Sequence, residues 1–91
     1  MTIKHVSIRV SGRVQGVFFR AATKEKADEL QIKGKVWNND DGSVSIEAEG
    51  EEQNLERFLA WCRQGPPSAR VDRCEIKETT PQHFGRFFIQ R

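Results

Sequence analysis

The chain has 91 residues, 36% of them hydrophobic and 31% charged, with a net charge of +2; this suits one soluble globular domain spanning residues 1–91 with a modest core, and argues against a disordered chain. Acidic and basic residues are interspersed rather than gathered into a basic stripe, which speaks against a nucleic-acid partner. No apolar run nears the roughly 20 residues that span a bilayer, and the N-terminal MTIKHVSIRV alternates instead of forming a signal-peptide core, so a cytoplasmic protein with no membrane partner is expected.

From residue 3 to residue 11 the chain alternates. Val6, Ile8 and Val10 face one way and Ser7, Arg9 and Ser11 the other, the mark of a half-buried strand. His5, at the start of that strand, is expected to be partly exposed and structural, although its pKa range would suit a base or a phosphate acceptor. The string GRVQGVFFR, residues 12–20, follows. Its glycines, Gly12 and Gly16, make a loop that leads into a helix from Arg20 to about Ile32. In that helix Ala22, Thr23, Ala27 and Leu30 recur at three- and four-residue steps, with Phe19 heading the stripe. Val36 to Asn38 begins a second strand, and Asn39-Asp40-Asp41-Gly42 is a hairpin turn, since Asn and Asp-Gly tolerate positive φ. Residues 43–49 alternate again, with Val44, Ile46 and Ala48 inward.

Leu55, Phe58, Leu59 and Cys62 form an i, i+3, i+4, i+7 stripe, the clearest helix in the chain. Glu51 and Glu52 suit its positive end and Arg63 its negative end, and Gly65-Pro66-Pro67 stops it. Val71 to Lys77 is a strand whose alternation slips: Val71 and Cys74 are three apart, Cys74 and Ile76 two apart. That predicts a bulge or a late strand start near Asp72. Glu75, Lys77 and Glu78 read as a solvated face. His83 sits in the loop Pro81-Gln82-His83 without an obvious partner. Phe84 to Gln90 is a last strand at a sheet edge, packed through Phe84, Phe87, Phe88 and Ile89.

The order β-α-β-β-α-β with an extra C-terminal strand is the ferredoxin-like split βαβ sandwich, an α+β fold. Two helices should cover one face of a mainly antiparallel sheet and leave the other polar. Cys62 and Cys74 are expected as free, buried thiols; a disulfide is compatible with the count, but two cysteines are no framework. With only His5 and His83 beside them, no metal-site spacing exists, and neither metal nor cofactor is expected. The fold hosts many functions, so the function must be argued from the loop.

A helix N-terminus offers unpaired N–H groups and a positive dipole end, and a glycine loop ahead of it lets the backbone curl toward an anion. Gly16 permits an unusual φ and removes a side chain that would crowd a ligand. Arg20 adds a planar donor fork suited to phosphate oxygens. The loop lacks the Gly-Lys-Ser/Thr ending of a nucleotide P-loop and the third glycine of a dinucleotide fingerprint. Two readings stay open on spacing alone: a cradle for one phosphoryl group, or a tight turn with Arg20 solvated on the helix. Asn38 is likewise either a polar ligand or a hairpin residue that bonds its own turn.

The full string GRVQGVFFR closely resembles the signature loop of the acylphosphatase family, Gly-x-Val-Gln-Gly-Val-x-Phe/Tyr-Arg. The family's second signature, Asn, three residues, Gly, one residue and Val, is matched by Asn38 through Val44. Gly50 and Ser68-Ala69-Arg70-Val71 also look like the family, so the resemblance covers essentially the whole chain. One departure stands out. Where the family has Gly-aromatic-Val-basic-Asn, this chain has Gly34-Lys35-Val36-Trp37-Asn38. Residues 35 and 37 share a strand face, so the exchange keeps their chemistry on that face while moving it about 7 Å. It bears on substrate preference or on packing, and Trp37 is either an edge-packing residue or a wall of the substrate pocket.

The resemblance implies hydrolysis of acyl phosphates to a carboxylate and inorganic phosphate. The leaving carboxylate has a conjugate acid of pKa roughly 4 and needs no general acid. Carried over residue by residue, Arg20 would bind the phosphoryl oxygens and stabilise charge in the transition state. The N–H groups of Gln15, Gly16, Val17, Phe18 and Phe19 would complete the cradle, and the Asn38 amide would hold the attacking water. No metal, cofactor or covalent intermediate is implied, and a monomer is the simplest expectation. Three rivals are weighed against this reading. An RNA-binding module of the same layout would stack bases on aromatics of the open sheet face, where Ser7, Arg9, Ser45 and Glu47 are expected instead. A phosphate- or acyl-phosphate-sensing domain would keep the cradle but not turnover, and the presence of Asn38 argues against it. A detached domain of a larger carbamoyl-transfer or maturation protein is disfavoured because the chain reads as free-standing.

Overall fold

The computed structural model describes residues 2–90. Strand β1 (Ile3–Arg13) is followed by helix α1 (Phe19–Glu29), strands β2 (Lys33–Asn38) and β3 (Val44–Glu51), helix α2 (Glu52–Gln64), strand β4 (Arg70–Thr79) and strand β5 (Phe87–Ile89). The five strands form one sheet in the order β4-β1-β3-β2-β5. Every neighbouring pair is antiparallel except β2 with β5. This is the ferredoxin-like α+β arrangement that the periodicity predicts, with the additional C-terminal strand at a sheet edge, the one beside β2.

Alternation dictates which sheet face is buried. Val6, Ile8 and Val10 of β1, Val36 of β2, and Val44, Ile46 and Ala48 of β3 all point to the helix side and are buried. Against them α1 presents Phe19, Thr23 and Ala27, and α2 presents Leu55, Phe58 and Cys62. Thr23 is tolerated there because its hydroxyl donates to the Phe19 carbonyl at 2.7 Å. Trp61 lies beside Phe19 and Phe58, and Phe87 meets Phe58 edge-on, so β5 joins the same core.

The slipped spacing at the start of β4 is a β-bulge. Ser11 pairs with Arg73 and Gly12 with Val71, which leaves Asp72 as the extra residue. Gly12 is therefore a strand residue, not the first residue of the loop. Its φ is +128°, and a Cβ there would overlap the Arg70 carbonyl oxygen that the bulge brings close.

Several boundaries and placements differ from expectation. Helix α1 ends at Glu29 rather than Ile32, because Gln31 adopts φ 58°. Its N–H donates to the Asp28 carbonyl and that of Ile32 to the Ala27 carbonyl, a Schellman ending. Glutamine in place of the usual glycine hid that stop. Strand β2 begins at Lys33, three residues early. Only 87–89 of the expected last strand pair with the sheet, with Gly34 N–H donating to Arg86 and Gln90 N–H to Val36.

His5 is fully buried instead of partly exposed. Its ring nitrogens lie 2.6 Å from Glu47 and 3.0 Å from Glu49, and Phe84 stacks over it. Burial pushes the Glu49 carboxyl pKa up, but the Gln82 N–H, the His5 ring and the Phe84 N–H outweigh it and hold the pKa below the ordinary value. Phe84 thus caps the polar sheet face rather than packing a strand. Both cysteines are free, but only Cys62 is buried; Cys74 is half-buried. No helix among the described residues is long and apolar enough to cross a membrane.

Candidate active site

The site lies where α1 begins, at the end of β2, on the helix side of the sheet. Residues 14–18 cross from β1 to α1 with the side chains of Val14 and Val17 buried, which anchors the loop in the core. The Ser68 hydroxyl donates to the Val17 carbonyl at 2.8 Å and ties the loop to the segment after α2. Gly16 has φ 72°, and a Cβ there would meet no heavy atom within 4 Å, so its exposed side faces open space. Phe18 takes the left-handed conformation, φ 60° and ψ 23°, as the residue that opens α1.

No side chain caps the start of α1, and its first turn carries no acidic residue. Its first N–H groups therefore keep their hydrogen-bonding capacity, and the positive end of the helix dipole is uncompensated. An anion fits such a place for both reasons.

A cavity of about 280 Å³ opens here, lined by Val14, Gly16, Phe18, Phe19, Arg20, Ala21, Asn38 and Ile89. Arg20 is half-buried, and its guanidinium has no ionic partner among the described residues. Asn38, the last residue of β2, sits two residues beyond buried Val36 and so shares the helix side of the sheet. Its Oδ1 is buried and has no hydrogen-bond partner among the described residues. A buried carbonyl oxygen without a donor is uncommon in a folded protein and calls for an explanation.

The bonds that close the hairpin come from other residues. Asn39 Nδ2 donates to the hydroxyls of Ser43 and Ser45, and Asp41 accepts from the Ser43 N–H and hydroxyl. Arg9 reaches the same turn, bonding Ser43 and pairing with Asp41. The Ser43 hydroxyl and N–H, followed by Arg9, hold the exposed Asp41 carboxyl down at about 2.

Of the residues picked out in the sequence, Gly16, Phe18, Phe19, Arg20 and Asn38 come together around one cavity. Gln15 and Val17 do not line it. The Gln15 side chain turns to the hairpin, and Val17 turns into the core. Ile89, which the sequence marks only as a packing residue, is an addition; β5 brings it to the cavity through its pairing with Val36.

Trp37 is not a wall of this cavity. It faces the opposite side of the sheet, with the Lys35 ammonium 5.1 Å from its ring centre, so residues 35 and 37 do share a face as expected. Trp37 borders a groove of about 330 Å³ on the polar face, among Ser7, Arg9, Ser45, Glu47, Glu75 and Lys77. Charges of both signs mingle there, and no set of donors converges. Among the described residues no group of three or more His, Cys, Asp or Glu side chains is placed to hold a metal ion.

Comparison with known proteins gives one answer. The family model described as Acylphosphatase matches residues 6–89. An acylphosphatase of Thermotoga petrophila is 49% identical over 88 residues, covering 97% of this chain and 98% of that protein. The crystal structure of acylphosphatase from Bacillus subtilis superposes with a TM-score of 0.94 at 36% identity, over 99% of this chain and 100% of that one. The same unit recurs inside a much longer chain: full-length HypF, in a phosphate- and nucleotide-bound form, matches with a TM-score of 0.92 at 33% identity, over 99% of this chain but 12% of that one. Loop, hairpin, fold and relatives agree, and the chain belongs to the acylphosphatase family, enzymes that cleave the carboxyl–phosphate bond.

Proposed function

We propose that acyl phosphate is bound and hydrolysed in the cavity between the 14–18 loop and Asn38, with Arg20 and the main-chain N–H groups of residues 15–19 as the phosphoryl cradle. The Asn38 Oδ1 carries this reading: it is buried without a partner among the described residues, and it shares its cavity with the Arg20 guanidinium, which has no ionic partner among them. An amide oxygen so placed accepts a hydrogen bond from a water and orients its lone pair at the phosphorus. An amide is too weak a base to take the proton away, so the proton goes to a phosphate oxygen of the substrate.

Arg20 and the helix end gather the negative charge of the transferring group, and positioning with electrostatics supplies the rate. The departing carboxylate is stable as an anion and leaves without a donor. The reading needs no metal and no covalent intermediate, and it takes the protein as a cytoplasmic monomer of one domain acting on a small molecule.

The test is the loss of benzoyl phosphate absorbance in buffer with chelator. Wild type should turn over, and Arg20→Ala should lose on the order of 10³-fold, as arginine contacts do in phosphoryl transfer. Because Arg20 has no ionic partner among the described residues, the variant should melt near wild type. Full activity in a folded Arg20→Ala protein would sink the assignment.

A further inference from the structure

The two halves of the site come from strands that do not touch. The cradle follows β1 and Asn38 ends β2, and β3 lies between them in the sheet. Two inter-strand spacings, about 9.5 Å, separate such strands. Sheet hydrogen bonds relate the halves only indirectly, through β3, and in-line attack on phosphorus requires a fixed distance between them.

The Gln15 side chain joins the loop itself to the turn. Gln15 Nε2 donates to the Asn39 carbonyl at 2.8 Å and to the Ser43 carbonyl at 2.8 Å. Both carbonyls already accept inside the turn, from the N–H groups of Gly42 and Asn39. The Gln15 amide therefore spends both of its donors on second lone pairs of a closed turn, in addition to what the turn needs to form. That turn is braced independently by Asn39, Asp41 and Arg9, so it is a firm anchor. Asn39 is the residue next to Asn38, and Gln15 is the residue next to Gly16, so the bond joins the halves at the positions adjacent to the working groups.

Resting on the catalytic reading above, we propose that Gln15 is a positioning residue whose side-chain amide sets the spacing between the phosphoryl cradle and the water-holding Asn38. Residue chemistry supports glutamine in that role. An amide offers two donors in one plane to two carbonyl oxygens, whereas a carboxylate would confront them with like partial charge and asparagine would fall one methylene short.

The experiment compares Gln15→Met and Gln15→Glu with wild type, and with Arg20→Ala as a control, for benzoyl phosphate turnover, competition by inorganic phosphate, and amide hydrogen exchange. In Gln15→Met, kcat should fall between about 10- and 100-fold, the usual effect of a misplaced reacting group. Phosphate competition should stay near wild type, because the cradle itself is intact. Gln15→Glu should be as slow at neutral pH but recover part of its rate as acid protonates the carboxyl, which regains one donor. Neither wild type nor Gln15→Met should show that limb.

Wild-type kcat in folded Gln15→Met would overturn the proposal, as would phosphate affinity falling in step with kcat, or a Gln15→Glu profile without the acid limb. If Arg20→Ala stays active, the site assignment itself fails, and exchange then decides the tie. Faster exchange in Gln15→Met at both 14–18 and 39–43 supports a bridge between the two segments, and unchanged exchange refutes it.

Discussion

Replacing Asn38 by alanine separates its two roles by the size of the stability change. The Asn38 side chain makes no hydrogen bond among the described residues, and its Oδ1 is buried at the cavity. An oxygen that serves a water strands no protein group when it is removed, so stability should stay within about 0.5 kcal/mol of wild type, about 2–4 °C in Tm for a domain of this size. A turn-forming asparagine would lose its hydrogen bond at a cost of about 1 kcal/mol, about 4–8 °C. Catalysis should fall without stability, with kcat for benzoyl phosphate down about 10²-fold or more, as when one preorganised polar group is removed from a transition state. Phosphate competition should stay close to wild type. Thermal melts and steady-state rates on one preparation measure both quantities. A variant that melts several degrees below wild type would refute the reasoning, since Asn38 would then be holding the hairpin together; a large loss of phosphate affinity would make it an anion ligand.

The other predictions concern the frame around the site. Gly12→Ala should destabilise by about 2 kcal/mol or more, since it combines positive φ with a steric clash against the Arg70 carbonyl. Gly16→Ala has room for its Cβ, so only the strain of about 1 kcal/mol remains, and its main effect should be weaker phosphate competition; equal melting losses for the two would contradict the separate jobs given them. Asp41 has its folded pKa lowered to about 2 from 3.8, so its contribution to the hairpin is complete above pH 3.8 and is lost as the pH falls through 2. Urea unfolding should show a drop in that window for wild type that is smaller in Asp41→Asn. Glu49→Ala leaves His5 and the N–H groups of Gln82 and Phe84 without their buried acceptor, and should cost about 3 kcal/mol. Denaturant melts check the size, and faster amide exchange at 82–89 checks the place.

The features that could be read from the sequence are those that local chemistry decides. Val6, Ile8 and Val10 gave the strand, its buried face and, with Val44 to Ala48, the layer order. The three-residue gap from Val71 to Cys74 located the bulge at Asp72. Features decided by distant partners were not legible. The burial of His5 depends on Glu47 and Glu49, more than forty residues away, and on Phe84, so its own neighbours gave no sign of it. Gln31 stops α1 in a conformation that its residue type seldom takes. Gly12 and Gly16 looked like a pair because they are close in sequence, yet one answers to the β4 backbone and the other to the cavity. For the candidate site, the family resemblance points to Arg20 and Asn38, and both line one cavity. The direction of the Gln15 side chain, the Ser68 bond to Val17 and the arrival of Ile89 all depend on which elements the sheet order places side by side.

The cavity lining has a consequence for how the enzyme meets acid and alkali. It holds one guanidinium, one carboxamide, main-chain groups and hydrocarbon. No carboxyl, imidazole or thiol, the groups that ionise between about pH 4 and pH 10, is among them. On the catalytic reading proposed above, curvature in the rate profile over that range reports the ionisation of the phosphoryl substrate and not of a side chain that lines the cavity. Failure in acid would begin in the scaffold, where Asp41 and Glu49 hold the hairpin and the C-terminal crossover, before it reached the chemistry. Tolerance of acid in such an enzyme could therefore be raised by redesigning those two carboxylates, without touching a residue that meets the substrate.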